Sequence, residues 1–235
     1  MFKNQFWHTA IVASIAGLLG SCNQPAPTAQ TSPDGTVAES SSSPVALSTG
    51  PNVVATTSVL CNITQQIAAN TISLSCPIKP GTDPHTYEPT PEDRKTLENA
   101  KLILYGGYDF EPSIAKLFKS SSLPSVKVAV HEIAVPTPIK GEHHDHGGEA
   151  EAPDGGEAEA LDPHVWHDAQ NGVKMVETIS KSLTQVAPEN AALYAKNAQA
   201  LNQELSQVDT WIKTQVATIP PNSRKLVTTH DALGY

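Results

Sequence analysis

Two hydrophobic periods share the chain from Asn52 onward. The β-branched run Asn-Val-Val-Ala-Thr-Thr-Ser-Val at 52–59 reads as a strand. The following segment, 60–70, repeats Leu60, Ile63 and Ile67 at helical spacing. The same alternation continues with a strand at 71–78 and a helix from Pro91 to Ala100, opened by proline and built of good helix formers. A strand at 101–107 ending in two glycines, a short helix at 112–118 and a strand at 126–130 come next. Further on, Val173, Val176, Ile179 and Leu183 share one face of a helix over 169–186. A longer helix, 188–219, carries Leu201, Leu205, Val208, Ile212, Val216 and Ile219 as one stripe and stops at Pro220-Pro221. At about 1.5 Å per residue it would extend about 48 Å, enough to bridge two lobes. Strands and helices alternating in this way predict an α/β protein, with a parallel sheet covered on both faces.

The first fifty residues follow neither period. Lys3 precedes the apolar run Ala10 to Leu19, which is too short for a bilayer span and ends in Leu-Gly-Ser-Cys, the pattern of an export signal. A small-residue site followed by cysteine resembles the bacterial lipobox, which makes Cys22 the candidate lipidation site and membrane anchor. Residues 23–50, rich in Ser, Thr, Pro and Ala, read as a disordered tether. Cys61 and Cys76 remain, an even pair in an exported chain, either disulfide-bonded or two buried thiols. The net charge of -9 is mostly local: residues 141–160 hold seven acidic groups and no Lys or Arg, so the rest sums to -2. A body so nearly balanced excludes the basic footprint of a nucleic-acid partner.

Chemistry enters with the histidines, nine in 235 residues. Asp-Pro-His-x-aromatic occurs twice, as Asp-Pro-His-Thr-Tyr-Glu at 83–88 and Asp-Pro-His-Val-Trp-His-Asp at 162–168. Proline before each histidine fixes one backbone dihedral and lowers the entropy lost on ordering it. Zinc takes neutral imidazole and carboxylate donors, usually four in a tetrahedron, so several histidines must converge from distant positions. His85 follows a predicted strand, and His230 follows the short apolar run containing Leu226 and Val227. Both positions suit the ligand-binding loops past strand ends in open α/β sheets.

Taken in order, the stretches 83–91 (DPHTYEPTP), 162–168 (DPHVWHD) and 229–235 (THDALGY), with a long helix between the last two, resemble the zinc/manganese solute-binding lipoproteins of bacterial ABC importers. The likeness is to the zinc-uptake subgroup of the cluster A-I metal receptors and runs from about Asn52 to the end. It implies two α/β lobes joined by one backbone helix, with metal held in the cleft by His85, His164 and His230. A fourth ligand in the family is a carboxylate late in the second lobe, and no residue here can be assigned to it. The chain accordingly reads as truncated: signal at 1–22, tether at 23–50, N-terminal lobe at 51–187, linking helix at 188–219, and the start of a C-terminal lobe at 220–235.

Manganese members commonly place a carboxylate where this chain has His230, so imidazole there favours Zn(II), with Mn(II) the alternative. His143, His144 and His146 lie in the acid-rich stretch 141–160, which resembles the auxiliary metal loop of zinc members; it also reads as a plain solvated insertion. The partners implied are an ABC permease and its ATPase, with the receptor itself a monomer, in the periplasm or at the cell surface and tethered through Cys22. Other readings are a metal-binding adhesin on the same fold and a zinc hydrolase with three His ligands and Glu88 as base, although no HExxH helix is present. Glu88 is alternatively an acceptor orienting His85, or a surface residue. His167 reads as a rim residue, Tyr87 and Trp166 as packing around the cleft, and His131 as a structural histidine outside any motif.

Overall fold

The computed structural model describes residues 50–120, 123–141, 161–228, 230 and 232–235. Cys22, the 23–49 tether and His143, His144 and His146 fall outside the described residues.

Four parallel strands form one sheet in the order β2-β1-β3-β4: β1 Asn52–Ala55, β2 Ser73–Ser75, β3 Leu102–Tyr105 and β4 Val126–Ala129. Register pairs Val53 with Leu102, Val54 with Ile103 and Ala55 with Leu104. Side chains alternate across a strand, so neighbouring residues sort to opposite faces. Val53, Ala55, Leu102 and Leu104 join the larger apolar cluster, while Val54 and Ile103 join the smaller one. Both faces of the two central strands are therefore dry, which explains why β1 and β3 read as continuous apolar runs rather than alternating ones.

The helices divide accordingly. Leu60 and Ile67 of α1 (Ser58–Ala68), Met175, Val176, Ile179 and Leu183 of α5 (Ala169–Val186), and Tyr194, Ala198 and Leu201 of α6 (Ala191–Ala217) cover the larger cluster. Leu97 of α2 (Pro91–Glu98) and Ile114 and Leu117 of α3 (Pro112–Ser120) cover the other. Helix α2 starts where the sequence says it should: Pro91 occupies its first turn, and Thr90 and Asp93 form a reciprocal capping box. Asp168 caps α5, accepting from the Gln170 amide at 2.7 Å. Cys61 on α1 and Cys76 just past β2 are disulfide-bonded, with Cα atoms 5.9 Å apart.

Several expectations give way. The strand at 126–130 ends at Ala129, and Val130–Ala134 turn into a short helix, α4. The long helix is preceded by a 3-10 turn at Pro188–Asn190, so its α-helical part has 27 residues, about 40 Å at about 1.5 Å per residue. Its stripe is buried only at its start. Leu201 is in the core, but Val208, Ile212, Val216 and Ile219 are exposed, as is Trp211 at 63%. The apolar run before His230 forms no strand, so His230 does not sit past a strand end as its position suggested, and Val227 is 93% exposed. A strand needs a hydrogen-bonding neighbour, and among the described residues none lies beside this one.

Candidate metal centre

The carboxyl ends of β1 and β3 anchor the turn that leads to the site. Thr56, immediately after β1, and Gly106, immediately after β3, both bind the buried Glu111. Thr56 Oγ1 donates to Glu111 Oε1 at 2.5 Å, and the Gly106 amide lies 3.1 Å from both carboxylate oxygens. Between these anchors, Gly107, Tyr108 and Asp109 all have positive φ (90°, 51° and 52°), a left-handed turn that a tyrosine rarely adopts. Glu132 holds it from outside by accepting from the Tyr108 amide at 2.9 Å. The turn delivers Phe110, 4% exposed, against two of the candidate ligands. Its ring meets His85 edge-on with centroids 5.0 Å apart and His164 at 5.6 Å. Trp166 backs Phe110 at 4.9 Å.

His85 sits in the loop between β2 and α2, and His164 directly precedes the 3-10 turn Val165–His167 that leads into α5. The repeated Asp-Pro-His has a local reason. In each copy the aspartate accepts from the histidine's own amide two residues on, at 3.0 Å from Asp83 Oδ1 to His85 N and 2.8 Å from Asp162 Oδ1 to His164 N. This is the aspartate turn that competes with regular structure, and the proline between has no amide to leave unpaired. Proline restricts the backbone of each copy, and the aspartate in the same three letters closes the turn.

The second copy does more. Asp162 Oδ1 also lies 2.7 Å from His164 Nδ1, with both side chains almost fully buried. An ionised carboxylate only accepts, so the ring proton sits on Nδ1 and Nε2 presents its lone pair. That Nε2 faces Nε2 of His85 at 3.1 Å and Nε2 of His230 at 3.1 Å. All three donor atoms lie within 4.8 Å of one another, from residues that are half-buried, buried and exposed respectively. Two donors of a tetrahedral zinc ion at 2.0–2.1 Å stand about 3.3 Å apart, close to both observed separations. Burial holds the His164 imidazole below its ordinary pKa against the pull of Asp162, which favours the neutral, ligating form. The arrangement offers three nitrogen donors to one cation, and no carboxylate joins the cluster among the described residues.

Other candidate residues lie elsewhere. Glu88 accepts from Ser113 Oγ at 2.9 Å rather than from His85. Tyr87 donates to Asp93 and packs on the smaller core. His167 stacks on Trp166 at 5.2 Å and does not join the three-nitrogen cluster. His131, expected from sequence to be a structural histidine, is fully buried behind Phe110 and Trp166, and neither ring nitrogen finds a hydrogen-bond partner among the described residues. Burial depresses its pKa to about 3; the Pro163 carbonyl opposes the shift from outside bonding geometry. Glu111 and Phe110 carry no signal in the sequence, since nothing in Asp-Phe-Glu-Pro announces a buried acid.

Comparison with known proteins agrees with the fold. The manganese-binding lipoprotein MntA of Halalkalibacterium halodurans is 31% identical over 186 residues, which are 79% of this chain and 56% of that protein. The zinc-binding protein TroA of Treponema pallidum is 32% identical over 186 residues, with the same coverage. The solved structure of the periplasmic zinc binding protein TroA superposes with a TM-score of 0.69 at 31% identity, covering 79% of this chain and 62% of that one. The chain thus spans little more than half the length of the curated relatives it matches. The profile of the ZnuA family, described as zinc-uptake complex component A, periplasmic, matches residues 53–235, and the chain belongs to that family.

Proposed function

We propose that this chain is the extracytoplasmic metal-binding component of an ABC importer, that His85, His164 and His230 hold the cargo ion, and that the ion is Zn(II). The observation that carries the reading is the meeting of three Nε2 atoms from segments 66 and 79 residues apart, around a lone pair whose direction Asp162 sets. Such a donor set, all imidazole, suits zinc better than the harder manganese ion. Delivery to a permease and its ATPase is part of this proposal, supported by the matched family's description as a zinc-uptake complex component. The names of relatives speak for receptors that bind metal and not for catalysis. Mn(II) is the second reading, because relatives as similar as MntA are named for manganese.

Competition titration of the metal-stripped chain with a chromophoric chelator, run with Zn(II) and with Mn(II), tests both. His85→Ala, His164→Ala and His230→Ala each lower zinc affinity at least about a hundredfold, the loss of one ligand bond in three, whereas deletion of residues 142–159 changes it little. Unaltered zinc affinity in the histidine variants removes the site, and tighter binding of Mn(II) than of Zn(II) removes the choice of metal.

A further inference from the structure

Residues 139–140 and 161–162 approach as a short antiparallel ladder, with a bridge between Lys140 and Leu161 and a 3.0 Å bond from the Asp162 amide to the Ile139 carbonyl. A hydrogen-bonded antiparallel pair ordinarily exchanges a second bond in return, from the Ile139 amide to the Asp162 carbonyl. Here that return bond runs through a side chain. The Ile139 amide donates to the Tyr235 hydroxyl at 3.2 Å, and the hydroxyl donates to the Asp162 carbonyl at 2.9 Å. The ring is partly buried against the main apolar cluster. Gly234 fits the same contact: a Cβ there would stand 2.6 Å from Ile139 Cδ1 and 3.2 Å from Asp162 Oδ2.

Tyr235 therefore grips the residue that orients His164, while sitting five residues beyond His230. We infer that Tyr235 is a positioning residue for the metal centre: its hydroxyl ties the His230 segment to Asp162, so that His164 and His230 are held at the spacing a shared ion requires. A closed circuit results, running from His230 through the ion to His164, then to Asp162, to Tyr235 and back along the chain. Each link lowers the entropy lost on making the next. The ion is then released slowly, because one ligand cannot leave while the circuit holds its neighbour in place. This rests on the reading of the three histidines as ligands.

A double-mutant cycle with zinc as the probe separates the two ideas. Tyr235→Phe keeps the packed ring and removes both hydroxyl bonds. In the otherwise unaltered full chain it should speed zinc release to a chelator in stopped flow about tenfold with little change in association, while melting of the metal-free protein reports what the two lost neutral bonds cost the ladder itself. In the His230→Ala background, where the circuit is already open, the same substitution should alter zinc affinity less than about twofold. An equal effect in both backgrounds assigns Tyr235 to the ladder alone and overturns the inference, as does an unaltered release rate in the single variant. An unsubstituted chain that binds no zinc overturns the ligand reading instead.

Discussion

Asp162 offers the sharpest test of how the site is built. Its Oδ1 accepts from the His164 amide at 2.8 Å and holds His164 Nδ1 at 2.7 Å, in a position where the carboxylate is 3% exposed. Asp162→Ala removes both bonds, frees the imidazole to take the other tautomer and leaves Nδ1 without its acceptor. A hydrogen bond to a charged group contributes about 1.5–3 kcal/mol, and loss of a carboxylate behind a ligating histidine typically costs about 10–100-fold in metal affinity. The expected zinc affinity of Asp162→Ala is therefore about 10–100-fold weaker. Asp162→Asn, which retains an oxygen acceptor but no charge, should lose roughly tenfold or less. Chelator competition gives the affinities, and melting of the metal-free protein shows how much of the change is general loosening. Affinity within twofold of the parent in a folded Asp162→Ala would refute the argument that the carboxylate sets the direction of the His164 lone pair. The paired aspartate provides an internal comparison. Asp83 holds the turn at His85 from an exposed position, so Asp83→Ala should weaken zinc binding less than Asp162→Ala does.

Two further outcomes follow from other parts of the molecule. Burial raises Glu111 from 4.5 to about 7, over the opposing hydrogen bonds from Thr56 and Gly106, so the folded protein keeps a proton that the unfolded chain has released. That contribution is complete below about pH 4.5 and is lost as pH rises through about 7; urea unfolding at pH 5 and pH 8 should show a parent that loses on the order of 3 kcal/mol more than Glu111→Gln over this interval, and equal pH dependence would contradict it. Cys22→Ala should release the protein from membranes into the soluble fraction, and tight membrane association of that variant would count against a lipid on Cys22.

Much of the fold was legible because its signals are local. The cap and proline at Thr90-Pro91, the periodic stripe of 169–186 and the apolar runs of β1 and β3 all specify an element from within a dozen residues. The misreadings occurred where a neighbour decides. Leu226 and Val227 have the composition of a strand, yet pairing and not propensity makes one. The stripe on α6 is continuous in sequence, but only its first two residues, Leu201 and Leu205, join the core.

The site divides along the same line. His85, His164 and His230 were candidates from their repeated or family-like contexts. The sequence carried no trace of Phe110 wedged against two of them, of Glu111 buried beneath, or of the Tyr235 hydroxyl completing a ladder 73 residues away in the chain. By itself the chain determined which segments become strands and helices, and which side chains have donor chemistry, since both are properties of short stretches. Only the tertiary structure decided which carboxylate meets which imidazole and which lone pair is left facing the shared point. Those are distances between residues far apart in sequence, and they exist only once the core has closed.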